Sequence, residues 1–255
     1  MNNNNQAIYI SILALVVSVA CAAGCWVSRG HVANAPVSAT PASVSAEDVR
    51  NVLMNNPEII YEAQRVAEQK RFEEQERETQ KRISENLDEI INYKDAAVIG
   101  NPEGKVTLVE FFDFSCGYCH RLHPVLKKLV AKNPDLRLVL REITFVNPEV
   151  STYAAKAALA AKNQGKYAEL WAAMMESEEA LSAETIDALA ASNGIDVAQM
   201  KADMESAQIE KIINDTADLA SKIQIGGVPT MILDGKVLRA YDEASIQKAL
   251  DEAKK

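Results

Sequence analysis

The chain has 255 residues, of which 48% are hydrophobic and 25% are charged, and its formal net charge is -9. This acidic balance argues against nucleic-acid binding, which needs a basic face. Aromatic residues make up only 5%, and residues 153–222 are rich in Ala, Glu and Lys, which favours helices over an all-β fold. The four cysteines form two separate pairs, which excludes a small disulfide-stapled protein.

The N-terminus contains an uncharged apolar segment, residues 7–27, long enough as a helix to span about 30 Å of hydrocarbon. Residues 1–28 are therefore predicted to be a signal or anchor segment. Three fates remain open: retention as an anchor, lipidation at Cys25 after a sequence that partly matches a lipobox, or cleavage after "ANA" at 33–35. All three export the rest of the chain, which favours a compartment where disulfides persist.

Residues 29–46 are small, polar and proline-containing, which is typical of a flexible linker. Ser45 and Asp48 form a capping box for a short helix. Asn56 and Pro57 suit the start of a second helix, which could continue for about 35 residues because Gly and Pro are absent as far as Ile91.

The second helix has apolar ends and a middle, residues 68–82, with five acids and five bases. Such a middle cannot bury a continuous seam. Two compatible interpretations follow for the helical region 47–95. It is a solvated connecting helix, or it is a stalk through which residues 45–91 form a homo-oligomer, either a dimer or a trimer.

From residue 96 the pattern changes to short apolar runs that alternate with helical segments. The predicted elements are strands at 96–100, 105–114 and 136–145, a helix at 116–132, a helical block at about 149–222, and a terminal hairpin and helix at 226–255. Breaks in the helical block are expected at 163–165, near Ser182 and at 192–194. The fold class is α/β, with a helical insertion in one domain over residues 96–255.

Cys116 and Cys119 stand at the point where a buried strand leads into a helix. The first cysteine then lies at the helix N-terminus, where free N–H groups and the dipole favour a thiolate. We expect the Cys116 sulfur to be exposed and to attack disulfides. Cys119, one turn inside the helix, would be less accessible and would resolve the mixed disulfide.

Two alternatives to a redox pair remain for the sequence "CGYCHRLH". A zinc site would have to use Cys116, Cys119, His120 and His123, but one helical turn cannot wrap four ligands around an ion. A purely structural disulfide is the other alternative. His120 and His123 are expected to pack against the helix surroundings, although a cation at either position would favour the Cys116 thiolate. We expect no metal and no cofactor.

Two further residues, Glu110 and Pro229, are unusual for the strands in which they are predicted to lie. Glu110 lies in an otherwise apolar strand; it could face water, or it could be buried with a raised pKa and relay a proton to or from Cys119. Pro229 in "GGVPT" is awkward inside a central strand. A cis Val228–Pro229 bond would turn the Val228 backbone outward to pair with an extended peptide, whereas an ordinary trans proline would mark a strand start.

Taken together, "VEFFDFSCGYC", the helical block and "GGVPT" resemble the DsbA family of thioredoxin-fold oxidoreductases over about residues 96–255. The resemblance implies a thioredoxin fold with an inserted helical domain. It implies a nucleophilic Cys116, a resolving Cys119, a redox-active disulfide between them, a buried acid at Glu110 and a cis-proline at Pro229. Substrate contacts are expected from Val228, Pro229, Gly117 and Tyr118.

Two features depart from the strong oxidant of that family. The dipeptide between the cysteines is Gly117–Tyr118, as in the periplasmic isomerase DsbC, and the N-terminal helices resemble the oligomerisation segment of ScsC-type proteins. These features predict a periplasmic thiol:disulfide oxidoreductase with isomerase capacity, and an additional oxidase capacity stays open. A dedicated oxidase or reductase is one alternative, and an envelope chaperone or surface binding protein is another.

The expected partners follow from this interpretation. They are exported proteins that contain cysteines, and a membrane or periplasmic redox partner that recharges the pair. The expected location is the bacterial periplasm or envelope, with tethering through residues 7–27 or through a lipid at Cys25.

Overall fold

The structure is a computed structural model that describes residues 44–254. The predictions for residues 1–28, for Cys25 and for most of the linker lie outside the described residues. The described chain divides into two units, residues 44–61 and residues 62–254. Among residues 44–254, none of the helices is both long and apolar enough to cross a bilayer.

The first unit contains helix α1, Ala46–Asn55, and the start of helix α2, Glu58–Glu85. The predicted capping box is present, because the Asp48 N–H donates to Ser45 Oγ over 3.1 Å and the Ser45 N–H donates to Asp48 Oδ2 over 3.0 Å. α1 buries none of its residues. The unit therefore leaves a set of large apolar side chains exposed: Val44, Val49, Val52, Met54, Ile59, Ile60 and Tyr61.

Helix α2 is shorter than the sequence suggests. It ends at Glu85, and a turn at Asn86 leads into the short helix α3, Leu87–Ile91. The Asn86 side chain donates to the Arg82 carbonyl over 2.7 Å and so satisfies an orphan acceptor at the helix end.

The last turns before the sheet contribute to its core. Ile83 and Ile90 are fully buried, in one apolar cluster with Val109, Phe111 and Ile232. The domain boundary at residue 96 stays a prediction. The structure adds that side chains N-terminal to it pack into the same core as the strands.

In the part of the chain that the structure describes, the strands are β1 Ala97–Gly100, β2 Val106–Phe112, β3 Leu136–Glu142, β4 Thr230–Leu233 and β5 Lys236–Leu238, and helix α4 is Gly117–Lys132. These five strands form one mixed sheet in the order β1-β3-β2-β4-β5. Only the β2–β3 pair is parallel, and α4 makes the crossover between these two strands. β2 lies at the centre and is buried on both faces, which explains its nearly continuous apolar sequence.

Between β3 and β4 the chain forms a block of helices, and after β5 it ends in helix α10, Glu243–Ala253. The predicted α/β fold with an inserted helical domain is confirmed. All three expected breaks are present, and a fourth at Glu205–Ser206 was not predicted. The inserted helices are α5 Pro148–Asn163, α6 Tyr167–Met175, α7 Ala183–Ser192, α8 Val197–Met204 and α9 Ala207–Lys222.

Candidate active site

Cys116 occupies the N-cap of α4, with φ -87° and ψ 112°, immediately after the loop that leaves β2. Its N–H donates to the Asp113 carbonyl over 2.9 Å, which fixes the turn into the helix. The sulfur thus lies at the helix end whose unpaired N–H groups favour negative charge. Cys116 and Cys119 are both free thiols.

Asp113 organises this loop, and the sequence pattern did not single it out. The carboxylate is fully buried and accepts from the Ser115 N–H (2.8 Å), the Ser151 hydroxyl (2.6 Å) and the Val146 N–H (2.9 Å). One side chain therefore joins the end of β2, the loop before Cys116 and the start of α5. The sequence signal was a lone acid at the end of an apolar strand, three residues before Cys116.

The expectation that the Cys116 sulfur is exposed is wrong, because the residue is only 5% accessible. The loop before β4 lies against it, and the Cys116 thiol donates to the Val228 carbonyl over 3.4 Å. Any group that reaches this sulfur would therefore have to pass the Val228 backbone.

Cys119 and Glu110 lie deeper. Cys119 is fully buried, as expected, and Glu110 is 2% exposed. Burial raises the pKa of the Cys119 thiol far above its usual value, and the nearby charge of Glu110 raises it further. Burial alone raises the pKa of Glu110 to about 8, and one of its carboxyl oxygens, Oε1, has no hydrogen-bond partner.

A second buried acid, Glu142, lies on the same side of the sheet as Glu110. In the parallel register Glu110 pairs with Leu140, and Glu142 is two residues further along β3. The hydroxyl of Tyr167 on α6 donates to Glu142 Oε1 over 2.5 Å. Burial raises the pKa of Glu142, while this hydrogen bond opposes the shift. No local pattern marks this pair, because its members lie in different elements.

The two histidines pack as the sequence suggests. The ring nitrogens of His120 lie 3.0 Å from the Met175 carbonyl and 2.7 Å from the Phe114 carbonyl, so the ring joins α4 to α6 and to the loop before Cys116. His123 is buried, and its Nε2 lies 3.1 Å from Glu176 Oε1. Burial lowers the pKa of His123, and Glu176 partly offsets that shift.

Three of the four predicted substrate positions, Tyr118, Val228 and Pro229, line one cleft, and Gly117 is the first residue of α4. The Val228–Pro229 bond is cis, and the Val228 carbonyl contacts the Cys116 sulfur. Tyr118 is 69% exposed, with the Arg121 guanidinium 4.2 Å from its ring centroid. A Cβ added at Gly117 would meet only the Arg121 side chain, 3.8 Å away, so the glycine is not required for space. The substrate roles of these four residues stay predictions.

The family model described as thioredoxin matches residues 92–252, which is more than half of the chain. The chain belongs to the thioredoxin family. The matched range contains the whole sheet, the dithiol, Glu110 and Pro229, and it includes the helical block.

Solved structures resemble this thioredoxin-family chain over most of their own length. A thioredoxin-like oxidoreductase from Silicibacter pomeroyi DSS-3 is 36% identical, with a TM-score of 0.62, and the match covers 66% of this chain and 96% of that one. The thiol-disulfide exchange protein α-DsbA2 from Wolbachia pipientis is 27% identical, with a TM-score of 0.63 and coverage of 68% and 95%. These relatives confirm the predicted likeness to DsbA-type proteins.

A ScsC variant from Proteus mirabilis is 23% identical, with a TM-score of 0.63, and covers 84% of this chain and 98% of its own. At that identity the similarity shows the fold alone. Among curated proteins, the Na⁺/H⁺ antiporter NhaA of Herminiimonas arsenicoxydans is 33% identical over 161 residues, which is 61% of this chain and 25% of the antiporter. The chain thus spans about a quarter of the length of the curated relatives it matches.

Proposed function

We propose that this thioredoxin-family chain is a thiol:disulfide oxidoreductase for exported proteins, with the capacity to isomerise disulfides through Cys116 and Cys119. The observation that carries the proposal is the position of Cys116 at the N-cap of α4, with its sulfur 3.4 Å from the Val228 carbonyl. This arrangement places a sulfur at the positive end of a helix beside backbone groups that can align an extended client.

The reaction starts with attack by the Cys116 thiolate on one sulfur of a client disulfide. A mixed disulfide forms, and the other client sulfur leaves as a thiolate. If a second client thiolate then attacks the mixed disulfide, Cys116 is regenerated and the client has been isomerised. If Cys119 attacks Cys116 instead, the client is released reduced and the enzyme keeps a Cys116–Cys119 disulfide.

Glu110 would assist the route in which Cys119 attacks the mixed disulfide. Cys119 is a poor nucleophile until it loses its proton, and burial holds that proton on the sulfur. Ionised Glu110 would accept it as Cys119 attacks, and in the reverse, oxidising direction protonated Glu110 would return it. A pKa of about 8 keeps both forms of Glu110 accessible near neutral pH.

The test is refolding of a client with scrambled disulfides. Cys116→Ser should abolish the activity, while Cys119→Ser should retain isomerisation and accumulate mixed disulfides that non-reducing gels detect. Unchanged refolding by Cys116→Ser would contradict the mechanism. The double Cys→Ser variant tests the chaperone alternative, which requires that it suppress client aggregation as well as the wild type does.

The reduction potential of the pair separates isomerase capacity from the dedicated alternatives. A value close to the DsbA end, about -120 mV, favours an oxidase, and one close to about -270 mV favours a reductase. A value between these, together with refolding activity, supports the isomerase assignment. The redox partner would then be a protein that keeps the pair reduced.

We also propose homo-oligomerisation through the N-terminal helices. The exposed apolar side chains of residues 44–61 support it, since α1 buries none of its residues. Replacing Val49 and Val52 by Glu should reduce the particle mass, measured by light scattering, to that of one chain. An unchanged mass would contradict an interface at α1.

Export to the periplasm, with or without tethering, rests on the uncharged residues 7–27. Intact mass of the protein isolated from membranes and from periplasmic extract would show whether this segment is retained, cleaved or lipidated at Cys25. Recovery of the full-length, unlipidated chain from the cytoplasmic fraction alone would contradict export.

A further inference from the structure

A cleft of about 650 Å³ is lined by Tyr118, which stands between the two cysteines, and by side chains of the helix α2. One wall is formed by the α2 side chains Phe72, Gln75, Glu76 and Thr79. The rest of the lining comes from Tyr118, from residues 224–231, which include Val228 and Pro229, and from residues 237–239 and Tyr241. The cleft is therefore continuous with the backbone that contacts the Cys116 sulfur.

The α2 wall is fixed to the domain by several contacts. Gln80 Nε2 donates to the Gly235 carbonyl over 2.5 Å, and Arg239 Nε lies 2.8 Å from Glu76 Oε1. The Arg239 guanidinium also lies 5.3 Å from the centroid of the Phe72 ring. One turn beyond Gln80, Ile83 is fully buried in the core of the sheet. Burial of Ile83 holds the helix in place, so the wall is a preformed surface.

Exposed apolar side chains concentrate in this cleft. Among residues 62–254, six large apolar side chains are exposed: Val66, Phe72, Tyr118, Phe145, Val146 and Tyr241. Three of them, Phe72, Tyr118 and Tyr241, line the cleft. An exposed cluster of aromatic side chains beside a reactive cysteine is typical of a site that receives an apolar ligand.

The charges in the cleft do not favour an ionic ligand. Glu76 and Arg239 pair with each other, so the wall offers neither a free anion nor a free cation at that point. The rest of the described lining is aromatic, aliphatic, amide or hydroxyl in character, together with backbone. An uncharged, extended ligand with an apolar side chain fits this chemistry.

We propose that α2 forms one wall of the client-binding cleft and sets client preference. A client segment would lie extended along residues 226–230, with its cysteine at Cys116 and a neighbouring aromatic or aliphatic side chain between Phe72 and Tyr241. This inference rests on the proposed function, because the ligand is the polypeptide that carries the reacting disulfide. It adds that a helix N-terminal to the thioredoxin core selects among clients by the residues flanking their cysteines.

The experiment compares three substrates with the full chain: two short peptides carrying a mixed disulfide with glutathione, one with Phe and one with Ser beside the cysteine, and glutathione disulfide itself. The wild type should react faster with the Phe peptide than with the Ser peptide. Phe72→Ala should lower kcat/KM for the Phe peptide by about tenfold, as loss of one aromatic anchor does. Its rates with the Ser peptide and with glutathione disulfide should not change.

Val66→Ala is the matched control. Val66 lies on the same helix and is 50% exposed, as Phe72 is, but it does not line the cleft. This variant should keep the wild-type preference, and Phe72→Leu should retain most of it. Tyr241→Ala should also weaken the preference, because Tyr241 is another exposed aromatic side chain of the lining.

The outcomes separate this inference from the proposed function. If Phe72→Ala and Tyr241→Ala both keep the wild-type preference while Cys116→Ser is inactive, the proposed function is supported and the role of α2 in client preference is refuted. If Cys116→Ser retains full activity, the proposed function itself fails. A uniform loss on all three substrates in Phe72→Ala would also refute the inference, because selection requires that glutathione disulfide be spared.

Discussion

Replacing Glu110 by Gln should make the stability of the domain less dependent on pH. Glu110 lies in the central strand β2, between Leu140 of β3 and Met231 of β4, and is 2% exposed. Burial raises its pKa to about 8 from 4.5. Gln has nearly the same shape and cannot ionise, so the substitution removes the titration and keeps the volume.

The sign follows from proton binding. Between about pH 4.5 and pH 8 the folded protein holds the Glu110 proton, while the unfolded chain has released it. Protonation of buried Glu110 therefore contributes its full share to the free energy of unfolding below pH 4.5. That contribution is lost as the pH rises through 8. A pKa unit corresponds to about 1.4 kcal/mol, so the free energy of unfolding should fall by about 3 kcal/mol between pH 5 and pH 7.5 from this group alone.

Urea unfolding at several pH values measures this effect. Both proteins should be used with the Cys116–Cys119 disulfide formed, so that neither thiol titrates, and the other buried acid, Glu142, cancels in the comparison. Relative to the wild type, the free energy of unfolding of Glu110→Gln should increase by about 3 kcal/mol between pH 5 and pH 7.5. A difference that stays constant across this range, or that moves in favour of the wild type, would refute the assignment of a buried acid with a raised pKa.

Three further predictions concern the frame around the site. Ile83→Ala should destabilise the domain by about 2–4 kcal/mol in urea unfolding, because the side chain is fully buried beside the strands; a loss below about 0.5 kcal/mol would show that α2 is not part of the core. Gly117→Pro should raise stability by about 0.4–1 kcal/mol, because Cys116 already has the extended backbone that precedes proline and position 117 is the first residue of α4; a lower unfolding midpoint in differential scanning calorimetry would contradict this. Tyr167→Phe should lower the free energy of unfolding in urea by about 1–3 kcal/mol, because Glu142 loses a buried donor. An unchanged free energy of unfolding would mean that water replaces the hydroxyl.

Local patterns were sufficient for most of the elements. The long apolar runs at 105–114 and 136–145 predict β2 and β3, Ser182 begins α7 as its N-cap, and the signal at 192–194 ends α7. The end of α2 at Glu85 was missed because neither Gly nor Pro marks it, and the break before α9 depends on Ser206 as a cap. Polar residues that stop a helix through one side-chain contact resemble polar residues that simply face water.

The site was predictable where its chemistry is carried by adjacent residues, and less so where it depends on distant ones. Cys116 and Cys119 share a motif, and the unusual Pro229 and Glu110 stood out against apolar strands. The contact of Asp113 with Ser151 spans 38 positions, and that of Glu142 with Tyr167 spans 25. Such pairs depend on how the inserted helices pack on the sheet, which residue spacing does not specify.

The Asp113 carboxylate has a consequence for engineering this protein. One of its oxygens, Oδ1, accepts both from the Ser151 hydroxyl in the first turn of α5 and from the Ser115 N–H in the peptide leading to Cys116. The helical block therefore cannot be exchanged freely: a block from another protein without a hydroxyl at position 151 would lose the hydrogen bond that ties α5 to the loop before Cys116. Transplants should carry the aspartate and the serine together.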